Sequence, residues 1–412
     1  MRIIHTADLH FGQNIYQHYD RLDEHQHFFR QLRRWIETYS PDVLLISGDI
    51  YDVAQPPASV WSAFNSEIVE LRRKFPDLSI VMIAGNHDSA SRIESHSKVW
   101  DIAGVTVVGT PPPLLQAAPE GWEERYIVRL PAGFIIAVPY ISGDRTDTMI
   151  HLQKYVAAIN TDELPVVMTG HLAAVGSDTE GHDPEIGNIR PVAIDRLGSD
   201  YDYLALGHIH KPQTLGHPQV YDEEPHDYRA PVARYSGSVL HVSEDENYPH
   251  SVSLVDVCKH GGNVSIRLLR IDQLRHFVTL PIESPNPFET SKDAVKYLKK
   301  FLESNDRAYI RLRFIQNADL PADFNSSVYT LIEQSGKDVR YNPRMIFVCT
   351  EENVTDASEE GKPRIDVEEI KQITDPRQFV RLTARSYPGL SEDDLDDLFK
   401  EVEEKIRSGI SE

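Results

Sequence analysis

Five short motifs in the first 210 residues carry side chains that can hold metal ions. They read Asp8-Leu9-His10, Gly48-Asp49, Gly85-Asn86-His87-Asp88, Gly170-His171 and Gly207-His208-Ile209-His210. Any one of them is common, but the order and spacing of all five together are not. Imidazole, carboxylate and amide donors without a thiol suit manganese- or iron-type divalent ions better than calcium or a closed structural zinc, while zinc at a catalytic site stays open. The chemistry such a set can perform is two-metal hydrolysis. Two cations about 3.5–4 Å apart can hold a phosphate and stabilise both the attacking and the leaving oxygen of an in-line displacement. Bringing two like charges so close needs a shared carboxylate. His208 and His210, alternate residues of an extended segment, would point the same way and could serve neighbouring ions.

Each motif follows a short apolar run: Arg2–Ala7, Val43–Gly48, Ile80–Gly85, Val166–Gly170 and Tyr203–Gly207. Runs of this length with β-branched residues predict buried strands. Between the first three, Phe28, Phe29, Leu32, Ile36 and then Val60, Trp61, Phe64, Ile68 recur at helical spacing. Alternating strands and helices predict an α/β layer fold, in which ligands bind just beyond strand ends. Five strand ends could then deliver their polar residues to one place. From about residue 276 the pattern changes to a strand at His276–Leu280, a Lys-rich helix at Lys292–Leu302, an alternating strand at Tyr309–Phe314, a helix at Ser327–Glu333 and a strand at Arg344–Val348. Together they predict a small α+β domain. The acidic stretch from residue 350 offers little to bury and reads as a linker. Helical candidates follow at Pro376–Ala384 and Glu392–Arg407; in the second, Ser391 is placed to cap, acids fill the first turn, and Leu395, Leu398, Phe399, Val402 and Ile406 form one stripe. Such a stripe beyond a linker predicts docking onto a partner.

A chain of 412 residues exceeds what one hydrophobic core usually serves, so two or three domains are expected. With 40% apolar and 26% charged residues it has material for full cores and is expected to be soluble and globular. No apolar stretch approaches the ~20 residues of a membrane span, and the opening residues carry no cleavage-like signal, so a cytoplasmic protein is expected. Cys258 and Cys349, far apart, predict unpaired structural thiols rather than a disulfide framework or a thiolate zinc site. The net charge of −22 disfavours a generic polyanion binder, although residues 281–350 stand at +1 while residues 351–412 stand at −9. An acidic chain can still act on a polyanion if carboxylates hold cations. The 18 histidines point the same way, since imidazole is the commonest transition-metal ligand.

Taken together, the motif set resembles the calcineurin-like metallophosphoesterase superfamily, and within it the SbcD-type exonuclease subunits, relatives of the Mre/Rad-type nuclease of double-strand-break repair. Local matches are His10–Gln13, Gly48–Pro57, Gly170–Gly176, Tyr203–His210 and Tyr235–Ser238. The resemblance covers residues 1 to about 245 and is architectural beyond. It implies an α/β phosphoesterase domain over 1–275, a β-sandwich flanked by helices. A small α+β capping and DNA-contact domain over 276–349, an acidic linker over 350–374 and a helical partner-docking segment over 375–412 would follow. It implies two divalent ions, manganese being expected: one held by Asp8, His10, Asp49 and His210, the other by Asp49, Asn86, His171 and His208. His87 would then stabilise the scissile phosphate or protonate the leaving oxygen, oriented by Asp88. Asp52 stands where some relatives carry a histidine, and its part in catalysis or in shaping the loop stays open.

The resemblance further implies 3′ to 5′ exonuclease activity on DNA duplex ends and endonuclease activity on single strands or hairpins. The enzyme would be a nucleoid-associated homodimer working with an SbcC-type coiled-coil ATPase held by the C-terminal helices. Two other readings compete. One is a small-substrate metallophosphodiesterase; its protein-phosphatase version is disfavoured because Val53 and Ala54, not Arg-Gly, follow Asp52. The other is a non-cutting DNA-tethering scaffold, in which His87 would have no purpose. Outside the motifs, His5 reads as a core histidine, His18, His25 and His27 as a solvated helix face, and His182 as loop decoration. Trp61 and Phe64 could bury within the subunit or across a dimer. Lys292, Lys296, Lys299 and Lys300 could track phosphates or simply face solvent.

Overall fold

All five apolar runs form strands, and their near-continuous hydrophobicity reflects cover on both faces. The computed structural model describes residues 1–348 apart from 17, 144, 181–190 and 283–285. The expected linker and helical segment over 350–412, His182 and Cys349 therefore lie outside the described residues. The chain opens with β1 (Arg2–Thr6), a small hairpin of β2 (Asn14–Ile15) and β3 (Tyr19–Asp20), α1 (Leu22–Tyr39), β4 (Val43–Ser47), α2 (Ala58–Lys74) and β5 (Ser79–Ile83). Short helices α3 (Ala90–Glu94) and α4 (Ser97–Ile102) lead to β6 (Val105–Val108), then β7 (Ile127–Leu130), β8 (Gly133–Ala137), α5 (Thr146–Ile159), β9 (Val166–His171) and β10 (Tyr203–Gly207). The body closes with β11 (Gln213–Thr214), β12 (His226–Arg229), β13 (Val232–Tyr235), β14 (Ser251–Val257) and β15 (Asn263–Arg270).

Two sheets face each other. The seven-stranded one has the order β12-β15-β14-β1-β4-β5-β6, the six-stranded one β11-β13-β10-β9-β8-β7. Strands β1, β4 and β5 run parallel, as do β9 and β10, so the polar motifs leave each sheet from carboxyl ends. Strand alternation sorts the core into layers. Ile3, Val43, Leu45 and Val81 turn inward to meet Ile136 and Met168 of the second sheet. Ile4, Leu44, Ile46 and Ile80 turn outward against Phe28, Phe29 and Leu32 of α1 and Phe64, Ile68 and Leu71 of α2. Phe64 is thus core within the subunit, while Trp61 is half-buried against Tyr51. Among the described residues no helix is long and apolar enough to cross a membrane.

Beyond residue 276 come β16 (Phe277–Leu280), α6 (Ser291–Ser304), β17 (Arg307–Ile315), α7 (Phe324–Ser335) and β18 (Asp338–Val348). The order of the sheet is β16-β17-β18 and every pairing is parallel, so this unit, expected as α+β, alternates strand and helix throughout. It has its own core around Leu298, Phe301, Ile310, Phe314 and Val328. It meets the body through buried charge: Arg21 Nε donates to Glu24 at 2.6 Å, Glu24 accepts the Tyr309 hydroxyl at 2.7 Å, and Arg275 pairs with both Asp23 and Asp338. His5 is a core histidine facing the Tyr203 hydroxyl at 2.8 Å. His25, expected on a solvated face, is instead 1% exposed, with its ring nitrogens 2.9 Å from the Arg21 carbonyl oxygen and 2.8 Å from that of Leu9, one of which takes its N–H. Its position one turn before Phe28 and Phe29 puts it on the inner face of α1.

Candidate metal centre

The polar motifs sit at the carboxyl ends of β1, β4, β5, β9 and β10, Gly170-His171 as the last two residues of β9 and the others on the turns that follow. Their backbones are forced. Asp8 (φ 50°), His10 (φ 43°), Asp49 (φ 48°) and His208 (φ 101°) hold left-handed or neighbouring positive-φ conformations, which cost a non-glycine residue roughly 1–3 kcal/mol each and persist only where the surroundings impose them. Two glycines make room for this. A Cβ on Gly85 would lie 2.1 Å from Asp49 Oδ1, and one on Gly48 would lie 2.3 Å from His171 Nδ1. The glycines after β4 and β5 are therefore close-approach requirements, as is Gly207 at the end of β10, where a Cβ would lie 2.0 Å from the Ser47 carbonyl oxygen.

The side chains converge as two groups that meet at one carboxylate. Asn86 Oδ1 lies 3.0 Å from His171 Nε2 and 3.2 Å from His208 Nδ1, and Asp49 Oδ2 lies 3.3 Å from the same His171 nitrogen. On the other side His10 Nε2 faces His210 Nε2 at 3.3 Å, with Asp8 in the same cluster, and Asp49 Oδ2 is 3.9 Å from His10 Nε2. The His208 backbone N–H spans both Asp8 oxygens at 2.9 and 3.1 Å. Asp8, His10, Asp49, His171, His208 and His210 are all 5% exposed or less. Asn86, His87 and Asp88 are half-buried at the rim.

Three imidazoles are oriented from behind. His171 Nδ1 donates to the Ser47 carbonyl at 2.9 Å, His210 Nδ1 to Glu246 Oε1 at 2.8 Å, and His10 Nδ1 lies 3.3 Å from an Asp52 carboxylate oxygen. The Ser47 and Glu246 anchors fix the tautomers of His171 and His210 that turn Nε2 toward the centre. The electrostatics of the protein alone are those of donors in need of cations. Burial pushes the Asp8 carboxyl up to about 6. Burial also opposes ionisation of Asp49, yet His171 and His10 hold its carboxyl well below the ordinary range. Against its own burial, His171 is raised to about 9 by Asp49 and Asp8. Protons thus occupy lone pairs that a divalent ion would take, and metal binding at such a site releases them. Buried carboxylates, facing imidazole nitrogens and an amide oxygen fit two divalent ions.

His87 and Asp88 are arranged differently from expectation. His87 Nδ1 lies 2.8 Å from the Asp52 carbonyl oxygen and its backbone N–H donates to Asp49 Oδ1 at 2.9 Å. The Asp88 carboxylate accepts three backbone N–H groups, from Ile50 (3.0 Å), Tyr51 (2.9 Å) and Gly85 (2.8 Å). Asp88 therefore clips the turns after β4 and β5 together, and the group that orients His87 is Asp52, through its main chain. Sequence reasoning also missed Glu246. Nothing in the run Glu244-Asp245-Glu246 indicates which acid turns inward, and only the position of His210 decides it.

A family model described as calcineurin-like phosphoesterase matches residues 1–212. Three curated relatives are each described as the SbcD subunit of the nuclease SbcCD. The chain is 29% identical over 275 residues to that of Escherichia coli (strain K12), an alignment covering 61% of this chain and 65% of the relative. For Bacillus subtilis (strain 168) the identity is 30% over 273 residues, covering 62% and 66%. For Rhodobacter capsulatus it is 28% over 317 residues, covering 70% and 73%. The chain thus spans just under two thirds of the length of the first two.

Proposed function

The chain belongs to the calcineurin-like phosphoesterase family, and from that premise we propose that it is the manganese-dependent nuclease subunit of a DNA-processing complex of the SbcCD kind. Its activities are 3′ to 5′ exonuclease on duplex ends and endonuclease on single strands and hairpins. The observation that carries this reading is the position of Asp49 Oδ2, within 3.9 Å of both His10 Nε2 and His171 Nε2, between two donor groups. Asp8, His10, Asp49 and His210 would hold one ion, and Asp49, Asn86, His171 and His208 the other. When bound, the ions supply Lewis acidity toward the phosphodiester and an acidified water as nucleophile.

His87 handles the leaving group. Its Nδ1–H stays on the Asp52 carbonyl, so the proton that comes and goes is carried at Nε2. As imidazolium, His87 donates from Nε2 to the departing 3′ oxygen and ends neutral. Asp88 supports this from behind by fixing the turn on which Asn86 and His87 sit. Residues 1–275 form the catalytic domain and 276–349 a capping domain for DNA. Residues 350–374 tether a segment, 375–412, that docks on a coiled-coil ATPase. Two copies of the chain pair as a homodimer in this reading.

The test is cleavage of end-labelled duplex and hairpin DNA by the purified chain with Mn²⁺, Mg²⁺ or EDTA, beside His87→Gln. Mn²⁺-dependent cleavage that falls by roughly 10²- to 10⁴-fold in the variant, at unchanged metal content, is expected. Loss of metal together with activity would make His87 a ligand and overturn its role as acid.

A further inference from the structure

One loop joins the candidate metal centre to the unit beyond residue 276. Glu246, 1% exposed, receives His210 Nδ1–H on Oε1 at 2.8 Å and the Val242 N–H on Oε2 at 3.0 Å, so its carboxylate both closes the loop and sets the imidazole. Two residues earlier Glu244 turns the other way. Its Oε2 accepts from Arg311 Nη1 at 2.9 Å and its Oε1 from Asn342 Nδ2 at 2.5 Å, both on the sheet of the small unit. Arg311 and Asn342 are cross-strand partners on β17 and β18, at the last regular pair before the register shifts between Arg311 and Arg313. A bulge at that place re-aims side chains, here bringing two donors to one carboxylate. The stem of the loop is held from the body: Arg21 Nη1 donates to the His241 carbonyl at 2.5 Å and Gln13 Nε2 to the Val242 carbonyl at 3.4 Å.

We propose that Glu244 and Glu246 are positioning residues through which the seating of the small unit sets the His210 imidazole, so that Arg311 and Asn342 tune how tightly the His10/His210 half of the centre holds its ion. The proposal deepens the metal-centre reading above and rests on it. An outer partner of a metal-bound histidine fixes tautomer and ring plane. Here the partner sits on the same short loop as a carboxylate gripped by a separate folding unit. Moving that unit would move the loop, and the loop cannot shift without stretching the Glu246–His210 bond.

The test is titration of Mn²⁺ into the metal-free full-length chain, following free Mn²⁺ by its paramagnetic resonance, with thermal unfolding measured alongside. Glu246→Gln should weaken one of two binding events by roughly 10- to 100-fold and leave the other unchanged. Arg311→Met should weaken the same event by about 5-fold or more, and Arg311→Lys, which returns a charge to Glu244, should recover part of it. If Arg311→Met fails to fold, Glu244→Gln carries the same expectation with less disturbance, because an acceptor for Asn342 is retained. A lower unfolding temperature with both Mn²⁺ affinities intact would reduce these contacts to docking and overturn the relay alone. A wild-type chain that takes up no Mn²⁺ would overturn the metal-centre reading and the relay with it.

Discussion

Asp88→Asn separates two accounts of a residue that lies beside the proposed acid. The carboxylate holds three backbone N–H groups on two oxygens, Oδ2 taking Ile50 and Gly85, and Oδ1 taking Tyr51. Asparagine can present one acceptor oxygen, which serves Ile50 and Gly85 as neutral rather than charge-assisted bonds at a loss of about 1 kcal/mol each. Its amide group would then face the Tyr51 N–H, donor against donor, leaving that group unpaired at a further cost of about 1–3 kcal/mol. Burial and the neighbouring Asp49 push the Asp88 carboxyl up to about 6, so removing its charge returns part of this loss, and the net cost is about 1–3 kcal/mol. For a body of this size that corresponds to a fall in unfolding temperature of about 2–6 °C. The assay is thermal unfolding of the metal-free protein, with hydrolysis of a nitrophenyl phosphodiester measured in Mn²⁺. A variant as stable as wild type yet inactive would refute the clip, and would return Asp88 to a direct part in the chemistry of His87.

Gly85→Ala should eliminate metal binding or soluble expression, because the added methyl meets Asp49 Oδ1 at 2.1 Å on a backbone with no room to retreat; an alanine variant with normal Mn²⁺ uptake would show that the turn can shift. Stability should fall with acid for a reason other than the metal site. Burial holds His25 and His250 down at about 4, against about 6.5 in an unfolded chain. Between those values the unfolded chain binds protons that the folded chain refuses, so stability is full above about pH 6.5. It then declines as pH drops toward 4, by on the order of 1 kcal/mol per pH unit for each histidine. Urea titrations at pH 7 and pH 5 should show this decline, and His25→Gln should lessen it; an unaltered slope in the variant would contradict the burial argument.

Much of the centre was legible because two-sided strands leave an apolar run and the turns after them need glycine beside polar residues, as at Gly48-Asp49 and Gly85-Asn86. The residues that orient those ligands left no comparable trace. Asp52 acts on His87 through a carbonyl, which any residue would supply. Glu246 is one of a run of acids whose direction depends on a histidine far away in sequence. His25 was legible and misread: it lies three and four residues before Phe28 and Phe29, on the apolar stripe, but the charges of Asp23, Glu24 and Arg30 around it suggest a wet face. Arg21, Glu24 and Arg275 could not be placed from composition, since charged side chains are seldom buried unless paired. Arg21 and Glu24 pair locally, but the Tyr309 hydroxyl on Glu24 and Asp338 on Arg275 arrive only with the small unit.

The place of β1 in its sheet bears on how the chain can be made. Strand β1 is interior, paired on one side with β4 and on the other with β14, where Arg2 meets Asp256. Residues 1–212 contain every proposed ligand, yet they stop short of β13, β14 and β15, and so leave the middle of one sheet with a bare edge. At ordinary rates of synthesis the partner of β1 follows it by roughly ten to fifty seconds. Through that interval an apolar edge able to pair with other chains is exposed on the ribosome. A piece that covers both edges of β1 therefore extends at least through β14 (Ser251–Val257), and the sheet on that side is complete only once Asn263–Arg270 has been made.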